Sequence, residues 1–216
     1  MGAEKRGIRL LRVERKLRSR DPRRPAILAQ IRWTFRHLPA KGTLLFFDEQ
    51  PIAVKAYGGW RYTSRRRLVL DSRQKTRGRF YLFVIYDVRS GRVHWAFLPG
   101  KSSHHVCQFM HRVRRWYRDA EVWIALDQDT THPRKSKETR RLMRRLKLHW
   151  ISLPKASPDD NPVETLFSDV QLMVLDNTDD LDPRATQRRI SARFRGRNRR
   201  KDRRIGIPYL NDSLKE

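Results

Sequence analysis

Apolar residues recur at helical spacing through Ile27, Leu28, Ile31, Phe35 and Leu38, which predicts an amphipathic helix starting after Pro25. The pattern then changes. TLLFFDEQ (43–50) is a short unbroken apolar run that ends in acids, the mark of a buried strand, and RLVLD (67–71) reads as part of a hairpin. RFYLFVIYDV (79–88) and RVHWAFLP (92–99) are β-rich runs joined at Ser90-Gly91, a strong hairpin signal. Helical spacing returns over 102–118, with Val106, Phe109, Met110, Val113 and Tyr117 on one face. EVWIALD (121–127) predicts a second buried strand, residues 134–146 a very basic helix with Leu142, Met143 and Leu146 inward, and LHWISLP (148–154) a short strand. A last helical element runs from Asn161 to about Leu175. Antiparallel strands thus come first and α/β alternation follows. This order predicts a mixed central sheet with helices on its faces.

Charge changes this picture more than any other property. Fifty Lys and Arg stand against 23 acids, a formal net of +27. Such a field repels itself unless a polyanion neutralises it, and nucleic acid is the commonest such partner. The basic stretches lack a wide apolar face, which argues against a membrane surface. The charge is uneven: residues 1–24 hold ten basic residues and three acids, and 184–204 hold eleven and one. The division expected is a basic arm and amphipathic linker helix (1–40), a folded centre (41–176) and a basic C-terminal tail (177–216). Phosphate contact on one side, and a solvated helix face or a disordered tail on the other, account equally well for either arm. Hydrophobic residues at 38% suffice for a core, so wholesale disorder is excluded. No run of 18 apolar residues exists, and the first residues lack the apolar stretch of a secretory leader. The single cysteine, Cys107, permits no internal disulfide, so a reducing compartment is expected.

Two strands end in aspartate: Asp48 closes TLLFF and Asp127 closes EVWIAL. Strand ends are where ligands gather in α/β sheets. Glu164 begins the last helix, and the order of elements allows all three to meet at one edge. Converging carboxylates repel one another unless a cation sits among them, and oxygen-only ligands favour Mg²⁺ or Mn²⁺. Each acid has a simpler reading too. Asp48 and Glu49 are adjacent and either fits a turn. Asp127 is followed by Asp129, and one of the two fits an Asx-turn. Asn161-Pro162-Val163-Glu164 fits N-cap, N1, N2 and N3 of a capping box.

FFDEQ, ALDQDTTH and LPKASPDDNPVE, spaced as they are, resemble the DDE transposases of the mariner superfamily, and most closely the insertion sequence 630 family. The last box carries most weight, with Ser157, Pro158, Asn161, Pro162 and Glu164 all matching, and GGWRY (58–62) is a lesser match. The resemblance covers about residues 25–176. It implies an α/β, RNase H-like mixed five-stranded sheet flanked by helices, with 41–176 as the DDE catalytic domain. Gln128 stands where the family has Asn, Asp129 where a small residue is usual, and Asp160 where Leu is usual; Asp160 is expected to add negative charge beside Glu164. Only 47 residues precede Asp48, which is expected to be too few for the family's two helix-turn-helix domains. Either a separate helix-turn-helix polypeptide supplies them, or the chain is a truncated or domesticated catalytic half.

The resemblance implies a Mg²⁺-dependent enzyme of DNA transposition, cleaving DNA strands and transferring them to a target that is usually TA. Asp48, Asp127 and Glu164 are the implied catalytic residues and ligands of two Mg²⁺ ions, with Mn²⁺ as substitute. His132 lies in the matching box, where contact with the scissile phosphate, support of the second metal, and a surface position at a helix N-terminus all fit. Lys155, Trp60, Arg61, Arg65, Arg66 and Arg67 are candidate DNA contacts, as are Arg195, Arg197, Arg199 and Arg200 in the C-terminal arm. The expected partners are transposon-end and target DNA and a second copy of the chain; the expected location is the bacterial cytoplasm, associated with the nucleoid. Two other readings stand beside this one: an inactive transposase-derived DNA-binding protein, and a structure-selective nuclease on the same fold.

Overall fold

The unbroken apolar runs form the centre of a five-stranded sheet in the order β3-β2-β1-β4-β5. A computed structural model describes residues 19–55, 75–176, 182–200 and 204–211. β1 (Thr43–Ala53) pairs antiparallel with β2 (Arg79–Asp87), which pairs antiparallel with β3 (Val93–Leu98). On its other side β1 runs parallel to β4 (Val122–Leu126), and β4 runs parallel to β5 (Leu148–Ser152). The fold is therefore the mixed, helix-flanked sheet expected. RLVLD (67–71) lies outside the described residues.

β1 is longer than its apolar run, continuing through Pro51 opposite Tyr81. Proline lacks the N–H of a ladder, and here it is tolerated because pairing of β1 with β4 ends at Phe46↔Ala125. Beyond that point, among the described residues, β1 has a paired strand on one side only.

Strand alternation divides the core into two faces. Leu44, Phe46, Val84, Ala125 and Ile151 face α1 (Arg24–Arg36), α4 (Val163–Val170) and α5 (Pro183–Arg199). Leu45, Phe47, Phe83, Ile85 and Ile124 face α2 (Ser103–Trp116) and α3 (Lys137–Arg145). A π-helical turn, Gln171–Leu175, continues α4.

The described parts of the basic flanks pack on the folded centre. Leu28 and Ile31 of α1 are buried against the sheet. The expected basic tail forms α5, capped at Asp182 by the N–H groups of Arg184 and Ala185, with Ile190 and Phe194 fully buried. A further short helix, α6 (Pro208–Asn211), buries Leu210. Arg193 of α5 forks onto Asp169 of α4, with nitrogen–oxygen distances of 2.8 and 2.5 Å. Asn198 grips the start of edge strand β3: its amide oxygen accepts from the Val93 N–H at 2.9 Å and its nitrogen donates to the Val93 carbonyl at 2.8 Å. The charge count hid this because few apolar anchors are enough to seat an otherwise cationic helix.

Asp87 closes β2 and is buried. It accepts from the backbone N–H groups of Arg89 and Ser90 and from the hydroxyls of Ser90, Thr43 and Tyr117. Asp87→Ala is expected to lower the unfolding free energy by about 2–3 kcal/mol, because donors buried around it lose their acceptor. Urea denaturation measures this; a loss below about 1 kcal/mol would mean the turn holds without it.

Candidate active site

The register of the two parallel strands aligns the aspartates. Phe46 pairs with Ala125, and two residues further along each strand stand Asp48 and Asp127. Both keep the parity of Phe46 and Ala125, so both belong to the sheet face that α4 covers. Glu164 is the second residue of α4. Asp48, Asp127 and Glu164 line one cleft of about 370 Å³ with Gln128, Asp129, Lys135, Lys155 and Asn161.

Asn161 joins the strand to the helix. Its side-chain nitrogen donates to Asp48 Oδ2 at 2.9 Å and to the Phe47 carbonyl at 3.4 Å, while its oxygen accepts from the Val163 N–H at 3.2 Å. The capping box does not form. The Asn161 N–H is taken by the Pro158 carbonyl, and Glu164 makes no side-chain hydrogen bond or ion pair among the described residues. Its carboxylate is left to the cleft.

Like charge accumulates there. Burial, followed by the charges of Glu49, Asp127 and Glu164, pushes the Asp48 carboxyl up to about 8. Burial and the charge of Asp127 raise Glu164 as well. Asp127 also feels burial, yet hydrogen bonding and charge from His132, with the Asp129 N–H, hold it below the ordinary carboxylate value.

His132 is neither a surface residue nor open to the cleft. It is 1% exposed, and its ring packs edge-on against Phe47. Nδ1 lies 2.5 Å from Asp127 Oδ1, and Nε2 lies 3.2 Å from Glu49 Oε2. Burial would lower its pKa, but hydrogen bonds to Asp127 and Glu49 raise it to about 10, so the ring is an imidazolium between two carboxylates. Glu49 was legible only as a neighbour of Asp48; strand alternation turns it to the opposite face, beneath Asp127.

Both acids of the 127–129 loop shape its turns: Asp127 Oδ1 accepts from the Asp129 N–H at 2.9 Å, and Asp129 accepts from the Thr131 N–H and both threonine hydroxyls and pairs with Lys101 at 3.1 Å. Gln128 ties the loop to the residue after β5 by donating to the Leu153 carbonyl at 2.7 Å. Asp160 does not burden the cleft as expected. Arg24 forks onto it at 2.8 and 2.7 Å, and Ser157 donates to it as well. Ala156 holds a left-handed φ of 47°, turning the chain between Lys155 and Ser157.

Of the expected DNA contacts, Lys155 lines the cleft. Arg195, Arg199 and Arg200 are exposed at the C-terminal end of α5. Arg197 serves the fold: its guanidinium donates to the Gly91 carbonyl at 2.9 Å and lies over the Tyr86 ring. Trp60, Arg61, Arg65, Arg66 and Arg67 lie outside the described residues.

The donor set of Asp48, Asp127 and Glu164 is all oxygen, which suits a hard divalent cation. Among the described residues, however, no three His, Cys, Asp or Glu side chains are gathered closely enough to hold an ion as they stand. Asp48 is turned to Asn161 and Asp127 to His132, so the acids share a cleft rather than an ion-sized cage.

The chain thus sets two strand-end aspartates and a helix-borne glutamate around one cleft of a mixed, helix-flanked sheet. The model of the DDE superfamily endonucleases matches residues 43–182, more than half of the chain, and the protein belongs to that family. No curated protein matches it. Among solved structures it resembles a Mos1 transposase paired-end complex with left transposon end at a TM-score of 0.68 and 15% identity, covering 97% of this chain and 65% of that one. A Mos1 strand transfer complex matches at 0.64 and 16% identity, covering 96% and 62%. The catalytic domain of Mos1 mariner transposase matches at 0.61 and 15% identity, covering 92% and 89%. These likenesses are of fold, the RNase H-like fold; the chain spans less than two thirds of the longer Mos1 chains. No described helix is long and apolar enough to cross a membrane.

Removing Glu49 strands a buried imidazolium beside one remaining carboxylate. Glu49→Ala is expected to cost about 3–5 kcal/mol of unfolding free energy, and Glu49→Gln less, since an amide oxygen still accepts from Nε2. Chemical denaturation of the two variants checks this; a Glu49→Gln variant as stable as the parent, with a loss only for Glu49→Ala, would show that the side chain acts by packing alone.

Proposed function

We propose that this chain is the catalytic domain of a transposase, hydrolysing a DNA phosphodiester and joining the resulting 3′-OH to target DNA. The observation that carries the reading is the sharing of one cleft by Asp48, Asp127 and Glu164, on a chain with a net charge of +27. Asp48, Asp127 and Glu164 would hold Mg²⁺ or Mn²⁺, two ions in all. Bound there, such ions supply an activated water and stabilise the leaving 3′-oxygen.

The chain's own residues set the stage for that chemistry. Asn161 fixes Asp48 against the start of α4. His132 is a positioning residue that orients Asp127 from beneath, and its burial argues against direct contact with a phosphate. Lys135 and Lys155, on the cleft wall, place cations beside the bound phosphate. The reading takes DNA ends and a TA-containing target as substrates, two copies of the chain as the working assembly, and a helix-turn-helix polypeptide as the source of end recognition.

A supercoiled-plasmid and oligonucleotide assay with Mg²⁺ or Mn²⁺ tests the reading. Nicking and strand joining are expected with either ion and none with EDTA. Asp127→Asn and Glu164→Gln should each cut the rate by roughly three orders of magnitude or more while circular dichroism stays unchanged. Nicking that survives both substitutions would place the chemistry elsewhere. Cleavage without any joined product would make the protein a nuclease rather than a transposase.

A further inference from the structure

α3 and the loop before it carry more unbalanced charge than the fold requires. Between residues 134 and 147, Arg134, Lys135, Lys137, Arg141, Arg144, Arg145 and Lys147 are exposed, against one exposed acid, Glu138. None of the seven forms an ion pair among the described residues. The inward face is fixed by buried Thr139, Leu142 and Met143, so the cations cannot turn inward. Lys137, Arg141 and Arg144 recur at four and three residues and share the outer face.

This surface is rigid and continuous with the carboxylate cleft. Arg140 is the cation withdrawn from it: its guanidinium donates to the Pro133 carbonyl at 2.7 Å and the Arg134 carbonyl at 2.6 Å, locking the loop to the helix. Ser136 caps α3, accepting from the Thr139 N–H at 3.2 Å. Lys135, in the same loop, lines the cleft beside Asp127 and Glu164. The cations therefore run from the cleft rim along α3, on the sheet face opposite α4.

We infer that the outer face of α3, with the 134–135 loop, binds the phosphate backbone of duplex DNA where it leaves the carboxylate cleft. Lys137 to Arg144 spans about 10 Å of helix, enough for about three phosphates along one strand. Flexible Lys and Arg on a rigid helix suit a repeating anion better than one small ligand. Every exposed residue in 134–147 is charged, so nothing apolar is offered to a membrane. The inference rests on the DNA reading above and adds the path of the duplex.

Fluorescence anisotropy with a labelled 30-base-pair duplex, from 50 to 300 mM KCl, tests it. All proteins carry Asp127→Asn to prevent cleavage. Adding Lys137→Gln, Arg141→Gln, Arg144→Gln and Arg145→Gln is expected to reduce the slope of log K against log salt by about three to four units, near 0.9 per phosphate lost. An equal charge removed elsewhere, by Arg36→Gln, Lys41→Gln, Lys75→Gln and Arg79→Gln, should reduce it by less than about one unit. Each α3 substitution made singly should take away about one unit, which guards against loss of folding in the quadruple variant. Equal slopes for the two quadruple variants would overturn the inference and leave the proposed function intact. Tighter binding of duplex RNA than of duplex DNA would overturn it too, assigning the surface to another polyanion. Failure of the Asp127→Asn parent to bind any DNA would remove the proposed function and this inference together.

Discussion

The parallel pairing of β1 with β4 is the constraint on which the site depends. It sets Asp48 and Asp127 side by side at adjacent strand ends, and strand alternation gives both to one face. A shift of one residue in either strand would send one aspartate to the opposite face, where α2 and α3 pack. The apolar residues before each aspartate prevent that slip. Leu44 and Phe46 must face one core while Leu45 and Phe47 face the other, and all four are fully buried. The register is thus held by hydrophobic burial, and the acids are carried to their places by residues that take no part in chemistry.

Once the aspartates are placed, the surrounding polar contacts manage their repulsion. Asn161 engages Asp48 and the first turn of α4 together, which ties the strand end to the helix that bears Glu164. His132 does the corresponding work for Asp127 from the other face, with Glu49 as its second carboxylate. The two aspartates consequently differ: one is pushed up by burial and like charge, the other held down by an imidazolium. Arg24 keeps the additional carboxylate of Asp160 out of that balance.

Much of this was legible in the chain. The hairpin at Ser90-Gly91, the strand runs and the strand-end aspartates follow from local pattern, since unbroken apolar runs can be satisfied only in the sheet interior. The motif order also pointed to the family. Less legible were the basic flanks. Composition marks 184–204 as cationic, yet Ile190 and Phe194, four residues apart, are enough to anchor α5. Glu49 and Asp160 were obscured for a different reason: their partners, His132 and Arg24, lie 83 and 136 residues away. No local rule links residues at such separations.

The sequence by itself determined which segments become strands and helices, which face of each is apolar, and that the protein carries far more positive than negative charge. Those properties reside in periodicity and composition, and neighbouring residues are enough to express them. Only the tertiary structure decided which acids share the cleft, which pair with cations, and which of the many arginines are spent on the fold. Those outcomes depend on distances between groups far apart in the chain, and electrostatic energy is governed by that spatial separation and by the water excluded between them.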